Sequence, residues 1–232
     1  MSADQAYKLS EIALLSDLPR DALEILKKRC SWRNYAPQEQ IIDRQSTTRD
    51  VYFIVTGKVR VVNFSLSGRE VAFDEIPAGA YFGETAAIDG EPRSATVVSL
   101  ESTTVAIMSP EAFRGLLIEH PKVALSLMVR MATIIRTSNE RIMDLSTLGA
   151  NNRVYAEILR LAKDDVKDDN TANIRPIPIH GDIASRVSTT RETVARVLND
   201  LARKGLVKRE KNALHILDMA HLSEMVEQFQ ME

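Results

Sequence analysis

The chain has 232 residues, a formal net charge of −2 at pH 7 and 44% hydrophobic residues. This length corresponds to two domains of roughly 100–150 residues each, and the composition is that of a folded protein. No apolar run approaches the roughly 20 residues that span a bilayer, and charged residues interrupt the N-terminal segment where a signal peptide needs an apolar core. We therefore expect a two-domain cytoplasmic protein that does not contact membranes.

Cysteine usage limits the cofactors. Cys30 is the only cysteine, so it can form no disulfide within the chain and belongs to no cluster that could hold zinc or an iron–sulfur centre. We expect it to be a small buried hydrophobic residue. The spacings of Ser, His and carboxylate residues match no nucleophile motif and no metal site, so we expect that the protein is not an enzyme.

The first half of the chain predicts short helices followed by a small β-structure. Residues 10–31 place apolar side chains at helical spacing around a proline, which predicts two short helices. From about 33 to 110, short β-branched and aromatic runs alternate with turns at Thr56-Gly57, Ser67-Gly68 and Pro77-Ala78-Gly79. Strands and turns of this length predict a small antiparallel roll or barrel.

A long helix is predicted after Pro121. Apolar and small residues recur there at alternating spacings of four and three, starting at Ala124. So narrow a seam favours a partner helix over the helix's own domain, and it predicts a homodimer. The small and polar segment 146–152 then predicts a hinge between domains. The predicted dimer seam consists of Met128, Met131, Ile135, Ser138, Ile142 and Leu145.

The last third predicts a winged helix-turn-helix. An amphipathic helix, NRVYAEILRLAKDD, precedes a charged loop over residues 165–178. Ser188-Thr189-Thr190 then supplies a short turn with a helix N-cap, Gly205 ends the second helix, and LVKREKNALHIL predicts a two-stranded wing. The apolar faces of the two helices are formed by Ile183, Ala184 and Val187, and by Val194, Val197, Leu198 and Leu201.

Positive charge is concentrated in this last segment. From Arg191 to Lys211 the chain holds seven basic and three acidic residues, although its net charge is negative. A basic run alone is usually a solvated face, but beside a helix-turn-helix it indicates a DNA-binding surface.

Residues 82–97, FGETAAIDGEPRSATV, form the second motif. They place Glu84 and Arg93 nine residues apart in a segment of mostly small and apolar residues. Gly83 precedes the glutamate, and Ser94 and Ala95 follow the arginine. A glycine alone would indicate only a tight turn, but a turn with an arginine indicates an anion-binding site.

These two motifs and their order resemble the cyclic-AMP receptor/fumarate-nitrate regulator family of bacterial transcription factors. Residues 82–97 are similar to the phosphate-binding cassette of cyclic-nucleotide-binding domains, and TTRETVARVL (189–198) is similar to the family's recognition helix. The resemblance covers almost the entire chain. It implies an α+β protein with an antiparallel, jelly-roll-like β-roll and N-terminal helices over 1–112, a long dimerisation helix with its lead-in over 113–148, and a winged helix-turn-helix over 149–232.

The resemblance implies a cyclic-nucleotide ligand, and the chemistry of the motif agrees with it. Arg93 can form charge-assisted hydrogen bonds with the cyclic phosphodiester, while the Ser94 hydroxyl and backbone N–H groups supply neutral donors. Glu84 can accept a hydrogen bond from the ribose 2′-hydroxyl. The alternative is that Glu84 and Arg93 pair only with each other, but buried pairs are poor stabilisers. The cassette candidates are Gly83, Glu84, Thr85, Arg93, Ser94 and Ala95.

The identity of the base is less determined by the sequence. Counting along the long helix, Ser138 and Asn139 fall where cyclic-AMP receptor proteins have a Thr-Ser pair that contacts adenine, and a shift of one residue brings in Thr137. These polar groups can satisfy adenine or guanine. Adenine, and therefore cAMP, is favoured by the resemblance alone, while cGMP stays open.

The other sensors of this family do not fit the sequence. An iron–sulfur cluster needs several cysteines, and haem needs an axial His or Cys. The histidines all fall outside the predicted roll, so we expect no metal, no haem and no iron–sulfur cluster. They are His120, His180, His215 and His221.

For double-stranded DNA, the start of the second helix is predicted to read base edges in the major groove. Arg191, Glu192 and Arg196 suit guanine and cytosine, and the resemblance implies palindromic DNA with TGTGA-like half-sites. Thr189 and Thr190 suit phosphate contacts. The alternative is an ordinary surface pair between Glu192 and Arg196.

The sequence thus predicts a homodimeric, cyclic-nucleotide-dependent transcription regulator, an activator that also contacts RNA polymerase through the loop 164–173. Two alternatives remain. One is a regulatory subunit that acts on a protein partner, and the other is a ligand-independent repressor with a vestigial pocket.

Overall fold

The computed structural model describes residues 9–65 and 70–227, so the predicted turn at Ser67-Gly68 lies outside the described residues. The chain divides into two compact units, Met1–Thr133 and Ile134–Glu232. The predicted domain boundaries after residues 112 and 148 stay predictions.

The first unit begins with two short helical segments, as predicted. A 3-10 turn spans Ala13–Leu15, and helix α1 spans Arg20–Arg29. Their leucine side chains are buried in the unit's core. Cys30 follows α1, is buried as predicted, and burial raises its pKa to about 12.

Two antiparallel four-stranded sheets form the roll. One sheet has the order β1-β8-β3-β6 and the other β2-β7-β4-β5. A core of aromatic and β-branched side chains lies between the sheets, and a second core joins the first sheet to the helices. The predicted antiparallel roll is confirmed. The strands are β1 Ser31–Tyr35, β2 Gln40–Ile42, β3 Val51–Thr56, β4 Lys58–Phe64, β5 Glu70–Pro77, β6 Tyr81–Phe82, β7 Thr96–Ser99 and β8 Thr103–Met108.

Besides α1, three further helices in the described residues belong wholly or partly to this unit. Helix α2 (Glu84–Asp89) lies inside the motif of residues 82–97 and was not predicted. Helix α3 (Pro110–Glu119) begins where the Ser109 hydroxyl accepts a hydrogen bond from the Ala112 N–H at 3.2 Å. Helix α4 is the predicted long helix and runs without a break over Pro121–Thr147.

The second unit is a winged helix-turn-helix. Helices α6 (His180–Arg186) and α7 (Arg191–Arg203) bury the two apolar faces that the sequence predicted. Gly205, with a φ of +72°, follows the second helix as predicted. The other elements are α5 Ala150–Ala162, a 3-10 turn Lys163–Asp165, β9 Ala172–Ile174, β10 Val207–Arg209, β11 Leu214–Ile216 and α8 Met219–Glu227.

Two sequence expectations need correction in this unit. The segment predicted as a continuous charged loop contains β9, because its backbone pairs with β11 and extends the predicted wing to three strands. The predicted hinge is also shorter than expected. Only Leu148 and Gly149 separate α4 from α5, and Leu148 is buried in the core of the second unit.

Candidate functional site

The motif of residues 82–97 begins with a tight turn into a short helix. Gly83 has a φ of +84°, a left-handed conformation that glycine adopts without strain. A Cβ atom at this position would lie 2.8 Å from Arg93 Nη1 and 2.8 Å from the Asp50 carbonyl oxygen. The glycine therefore permits the close approach of the arginine to the turn.

Arg93 is buried, with 4% of its surface exposed. Its Nη1 donates to the Gly83 carbonyl oxygen at 3.0 Å, and its Nη2 donates to the Asp50 carbonyl oxygen at 2.9 Å and to Thr48 Oγ1 at 3.3 Å. Burial lowers the pKa of Arg93, and nearby Tyr52, Asp50 and Glu84 oppose that shift. All three hydrogen-bond acceptors are neutral groups.

Glu84 is the first residue of α2 and is partly buried. Burial raises the pKa of its carboxyl, while its hydrogen bond to backbone and the charges of Arg130 and Arg93 oppose the rise. Within residues 9–65 and 70–227, no ion pair joins Glu84 to Arg93. The alternative in which the two residues simply pair with each other is therefore not what the structure contains.

The other cassette candidates differ in their exposure. Thr85 lies exposed on α2, and the Ser94 side chain is also exposed. The Ser94 carbonyl oxygen accepts from Asn63 Nδ2 at 3.2 Å, and Ala95 is buried. Ser94 and Arg93 are thus adjacent in sequence, but Ser94 is exposed at the surface of the roll and Arg93 is buried.

Sequence reasoning missed the aromatic wall beside Arg93. Tyr52 and Phe82 stack with ring centroids 4.9 Å apart, and Arg93 Cζ lies 5.8 Å from the centroid of Tyr52. No signal in the sequence indicates the face on which Tyr52 lies, because the first five residues of β3 are all apolar or aromatic and all are buried. Thr48 and Asp50 carried no signal either, because they reach Arg93 only through the fold.

A second missed contact involves the long helix. Arg130 Cζ lies 5.1 Å from the ring centroid of Tyr81, the residue before Phe82 in β6. Burial raises the pKa of Tyr81 to about 12, and the charge of Arg130 acts against that rise. Arg130 lies outside the predicted seam, so the heptad pattern gave no reason to select it.

The predicted base contacts lie farther along α4. Ser138 and Asn139 are exposed, whereas Thr137 is half-buried. They belong to the second compact unit and the cassette to the first. Their role in ligand binding stays a prediction.

The predicted dimer seam is largely exposed in the single chain. Met131 is the exception, because it packs against the core of the first unit. The exposed fractions of the large apolar members lie between 47% and 60%, and Ser138 is also exposed. These large exposed members are Met128, Ile135, Ile142 and Leu145.

The predicted DNA-contacting residues surround the start of α7. Thr190 is the N-cap, and its hydroxyl accepts from the Thr193 N–H at 3.2 Å, while the Thr189 N–H donates to the Ala184 carbonyl oxygen at 3.0 Å. Arg191 and Glu192 are exposed. Hydrogen bonds with the backbone and with Thr190 lower the pKa of Glu192.

Arg196 is also exposed, and its Nη2 donates to Asn151 Oδ1 at 3.4 Å. In the part of the chain that the structure describes, no ion pair joins Glu192 to Arg196. Their side chains are therefore not occupied by the surface pair that the sequence left open as an alternative.

No group of three or more His, Cys, Asp or Glu side chains in the described residues could hold a metal ion. None of the helices described is long and apolar enough to cross a membrane.

Comparisons with known proteins match both units. A cyclic nucleotide-binding domain matches residues 32–120, and a Crp-like helix-turn-helix domain matches residues 152–225. The chain is 30% identical over 193 residues to the cyclic AMP receptor protein of Thermus thermophilus, which covers 83% of this chain and 87% of that protein. It is 26% identical over 186 residues to the cAMP-activated global transcriptional regulator CRP of Escherichia coli, with 80% and 89% covered.

A solved structure of a CooA variant from Carboxydothermus hydrogenoformans has the same fold. The TM-score is 0.77 with 21% sequence identity, over 87% of this chain and 89% of that chain.

The chain belongs to the CRP family of transcriptional regulators, as the resemblance implied. It is a cyclic-nucleotide-binding and DNA-binding regulator with an α+β fold made of a β-roll, a long helix and a winged helix-turn-helix. Proteins of this family regulate transcription and are not enzymes.

Proposed function

We propose that this protein is a homodimeric activator that responds to cAMP and binds palindromic DNA with TGTGA-like half-sites. It contacts RNA polymerase through the loop 164–173. The name of the Thermus thermophilus relative supports cAMP as the ligand. cGMP is the second candidate, because the hydroxyl and amide groups of α4 can satisfy either base.

The observation that carries the ligand proposal is the buried charge of Arg93. Its hydrogen-bond partners are two backbone carbonyl oxygens and one hydroxyl, and its Nε is buried without a hydrogen-bond partner in the described structure. A buried charge without a counter-ion is costly. A cyclic phosphodiester supplies a negative charge that can pair directly with this guanidinium, whose hydrogen-bond acceptors in the chain are all neutral.

Glu84 gives the ligand proposal its sharpest test. Its carboxylate accepts the ribose 2′-hydroxyl, so 2′-deoxy-cAMP binds the parent protein more weakly than cAMP. Calorimetric titration of the parent and of Glu84→Ala with cAMP, 2′-deoxy-cAMP and cGMP measures this directly. We expect the disadvantage of 2′-deoxy-cAMP to vanish in Glu84→Ala. If the full disadvantage persists, Glu84 does not bind the ribose.

The exposed seam of α4 supports the homodimer. Four large apolar side chains on one stripe of a helix are costly in water, and a second copy of the helix would bury them. Ile142→Glu places a charge in the seam, whereas Met143→Glu places the same charge on an equally exposed neighbour outside it. Sedimentation is expected to show a monomer for the first variant only. A dimer in both variants would contradict this seam.

The exposed side chains at the start of α7 support the DNA proposal. Arg191, Glu192 and Arg196 carry base discrimination, while Thr189 and Thr190 contact phosphate. A salt-dependent gel shift with the palindrome tests it. A protein that binds no specific DNA would instead support the alternative of a regulatory subunit acting on a protein partner.

Ser138 and Asn139 connect ligand and DNA binding in this proposal. A ligand shifts an equilibrium only by its different affinities for the two states, so the base must contact groups that differ between them. Ser138→Ala and Asn139→Ala are expected to retain part of the nucleotide affinity but to weaken its effect on DNA affinity. An unchanged effect in both variants would contradict this role, and Thr137→Val tests the neighbouring register.

One observation favours a second candidate function. Arg93 forms three hydrogen bonds with groups of its own chain, as a vestigial pocket in a ligand-independent repressor would require. The same calorimetric titration separates the two functions, because such a repressor would bind neither nucleotide.

A further inference from the structure

A buried ionic network joins the end of α4 to the helix-turn-helix. All its members lie in the second compact unit, and its centre is Glu157 of α5, which is 1% exposed. Glu157 Oε2 lies 2.5 Å from Arg160 Nη1, and Glu157 Oε1 lies 3.3 Å from Arg186 Nη1 and 3.9 Å from Arg141 Nη2. One carboxylate therefore contacts arginines of α4, α5 and α6.

Arg160 extends this network back to the long helix. Its Nη2 lies 2.7 Å from Asp144 Oδ2 on α4. Burial lowers the pKa of Arg160, but its hydrogen bonds with Asp144 and Glu157 outweigh that effect and the net shift is upward. The helix end that precedes Leu148 and Gly149 is thus tied to α5 by charge-assisted hydrogen bonds.

Arg153 makes the matching connection on the other side. Its Nη1 donates to the Leu148 carbonyl oxygen at 2.9 Å, between α4 and α5. Its Nε donates to the Val187 carbonyl oxygen at 2.8 Å and its Nη2 to that of Ser188 at 3.2 Å, both in the turn before α7. A single guanidinium therefore holds the α4–α5 connection and the turn that leads into α7.

The three central residues lie on one face of α5, because Arg153, Glu157 and Arg160 follow one another at spacings of four and three. Buried ion pairs are often no more stabilising than apolar residues of the same volume, whereas their geometry is demanding. Their effect on the direction of the joined helices can therefore exceed their effect on stability.

We propose that Arg153, Glu157 and Arg160 are positioning residues that fix the direction of α7 relative to the end of α4. In a dimer joined through α4, this direction sets the separation of the two α7 helices. The network thereby determines which half-site spacing the regulator accepts, since half-sites about 34 Å apart must meet both helices at once. This inference rests on the proposed homodimeric DNA-binding function.

The test compares Asp144→Asn with Asp200→Asn. Asp144→Asn keeps the side-chain shape but removes the charge that Arg160 contacts, while Asp200→Asn removes an exposed pair with Arg203 on α7. DNA affinity is measured on palindromes with the preferred spacer and with one base pair added or removed. Half-sites with a single base change are measured in parallel.

The discrimination among spacers is the ratio of the DNA affinity for the preferred spacer to that for an altered spacer. We expect this ratio to fall by about tenfold in Asp144→Asn, while the preference for half-site bases is unchanged. Asp144→Glu restores the discrimination in part, and Asp200→Asn keeps it. A merely stabilising network would weaken binding to all palindromes alike, and that result would overturn the proposal.

Hydrogen exchange gives a readout that does not depend on DNA. The amides of Leu148 and Arg153 donate within the α4–α5 connection, to the carbonyl oxygens of Asp144 and Gly149. Faster exchange over residues 146–153 is expected in Asp144→Asn but not in Asp200→Asn. Unchanged exchange in Asp144→Asn would overturn the proposal that this network holds the α4–α5 connection rigid. If the parent protein itself binds no palindrome, that result contradicts the proposed function instead.

Discussion

The Arg93 guanidinium lies against the turn at Gly83, where Nη1 donates to the glycine carbonyl oxygen at 3.0 Å. A Cβ atom on residue 83 would come within 2.8 Å of the same nitrogen. The glycine and the arginine therefore depend on each other, although nine residues separate them along the motif. Hydrogen bonds within the chain thus hold the cationic side of the candidate site in place.

Replacing Gly83 by alanine tests this dependence. The left-handed φ of +84° and the contacts at 2.8 Å make Gly83→Ala strained, and we expect it to lower the free energy of unfolding by about 1–3 kcal/mol. Gly149→Ala is the control, because nothing lies within 4 Å of its Cβ position. Chemical denaturation measures the free energy of unfolding of both variants. Equal values would contradict the claim that the turn at residue 83 requires glycine.

Arg93→Gln tests the charge of the site. Glutamine keeps a donor but removes the positive charge, so we expect cAMP affinity to fall by about 1.5–3 kcal/mol, or roughly 10- to 150-fold. Arg33→Gln is the control. Arg33 lies exposed on β1, and it pairs with Glu39 in the turn that follows this strand. Calorimetric titration with cAMP measures the affinity of both variants. If Arg93→Gln binds cAMP as tightly as the parent, Arg93 does not bind the phosphate.

Much of this fold could be predicted from sequence because its signals are local. Each of these signals lies in or next to the turn or helix that it predicts. Examples are the glycine turns at Gly57 and Gly79, the heptads of α4 and the Thr190 N-cap. Helix α2 was missed because it is only six residues long and opens on a glycine.

The missed features of the site depend on contacts that are distant in sequence. Arg93 meets Thr48 and Asp50 across more than 40 residues, and Arg130 meets Tyr81 through the packing of α4 on the roll. Strand β9 was missed for the same reason, because its partner β11 lies about 40 residues later. No periodicity within one segment reports such pairings.

The raised pKa of Glu84 predicts how stability depends on pH in the absence of ligand. Burial makes the folded protein hold this proton more tightly than the unfolded chain does. The contribution of Glu84 to the unfolding free energy therefore falls as pH rises from the ordinary value of 4.5 through the raised pKa. Glu84→Gln removes this slope, which thermal unfolding at a series of pH values can measure.

Glu192→Gln is the control with the opposite sign. Hydrogen bonds with the backbone and Thr190 lower the pKa of Glu192, so its contribution to stability is lost as pH falls through that lowered value. Parallel pH curves for the parent and Glu84→Gln would show that Glu84 is not desolvated.

Glu192→Ala tests the base-reading role of α7. We expect it to lose the preference for one half-site base pair, worth about 1–3 kcal/mol, because its carboxylate accepts from cytosine N4. Thr189→Val removes only a phosphate contact and is expected to weaken all sequences alike. Competition binding with single-base variants of the half-site measures both, and an unaltered preference at every position in Glu192→Ala would contradict the assignment.

The central claim is that a cyclic nucleotide bound at Arg93 controls DNA binding by α7. The most direct measurement is the affinity of the purified parent protein for the palindrome with no nucleotide, with saturating cAMP and with saturating cGMP, beside Arg93→Gln under the same conditions. At a cAMP concentration that saturates the parent but not Arg93→Gln, we predict that the DNA affinity of the parent rises by about tenfold or more, whereas that of Arg93→Gln rises far less. Equal DNA affinity of the parent in all three states would contradict the account.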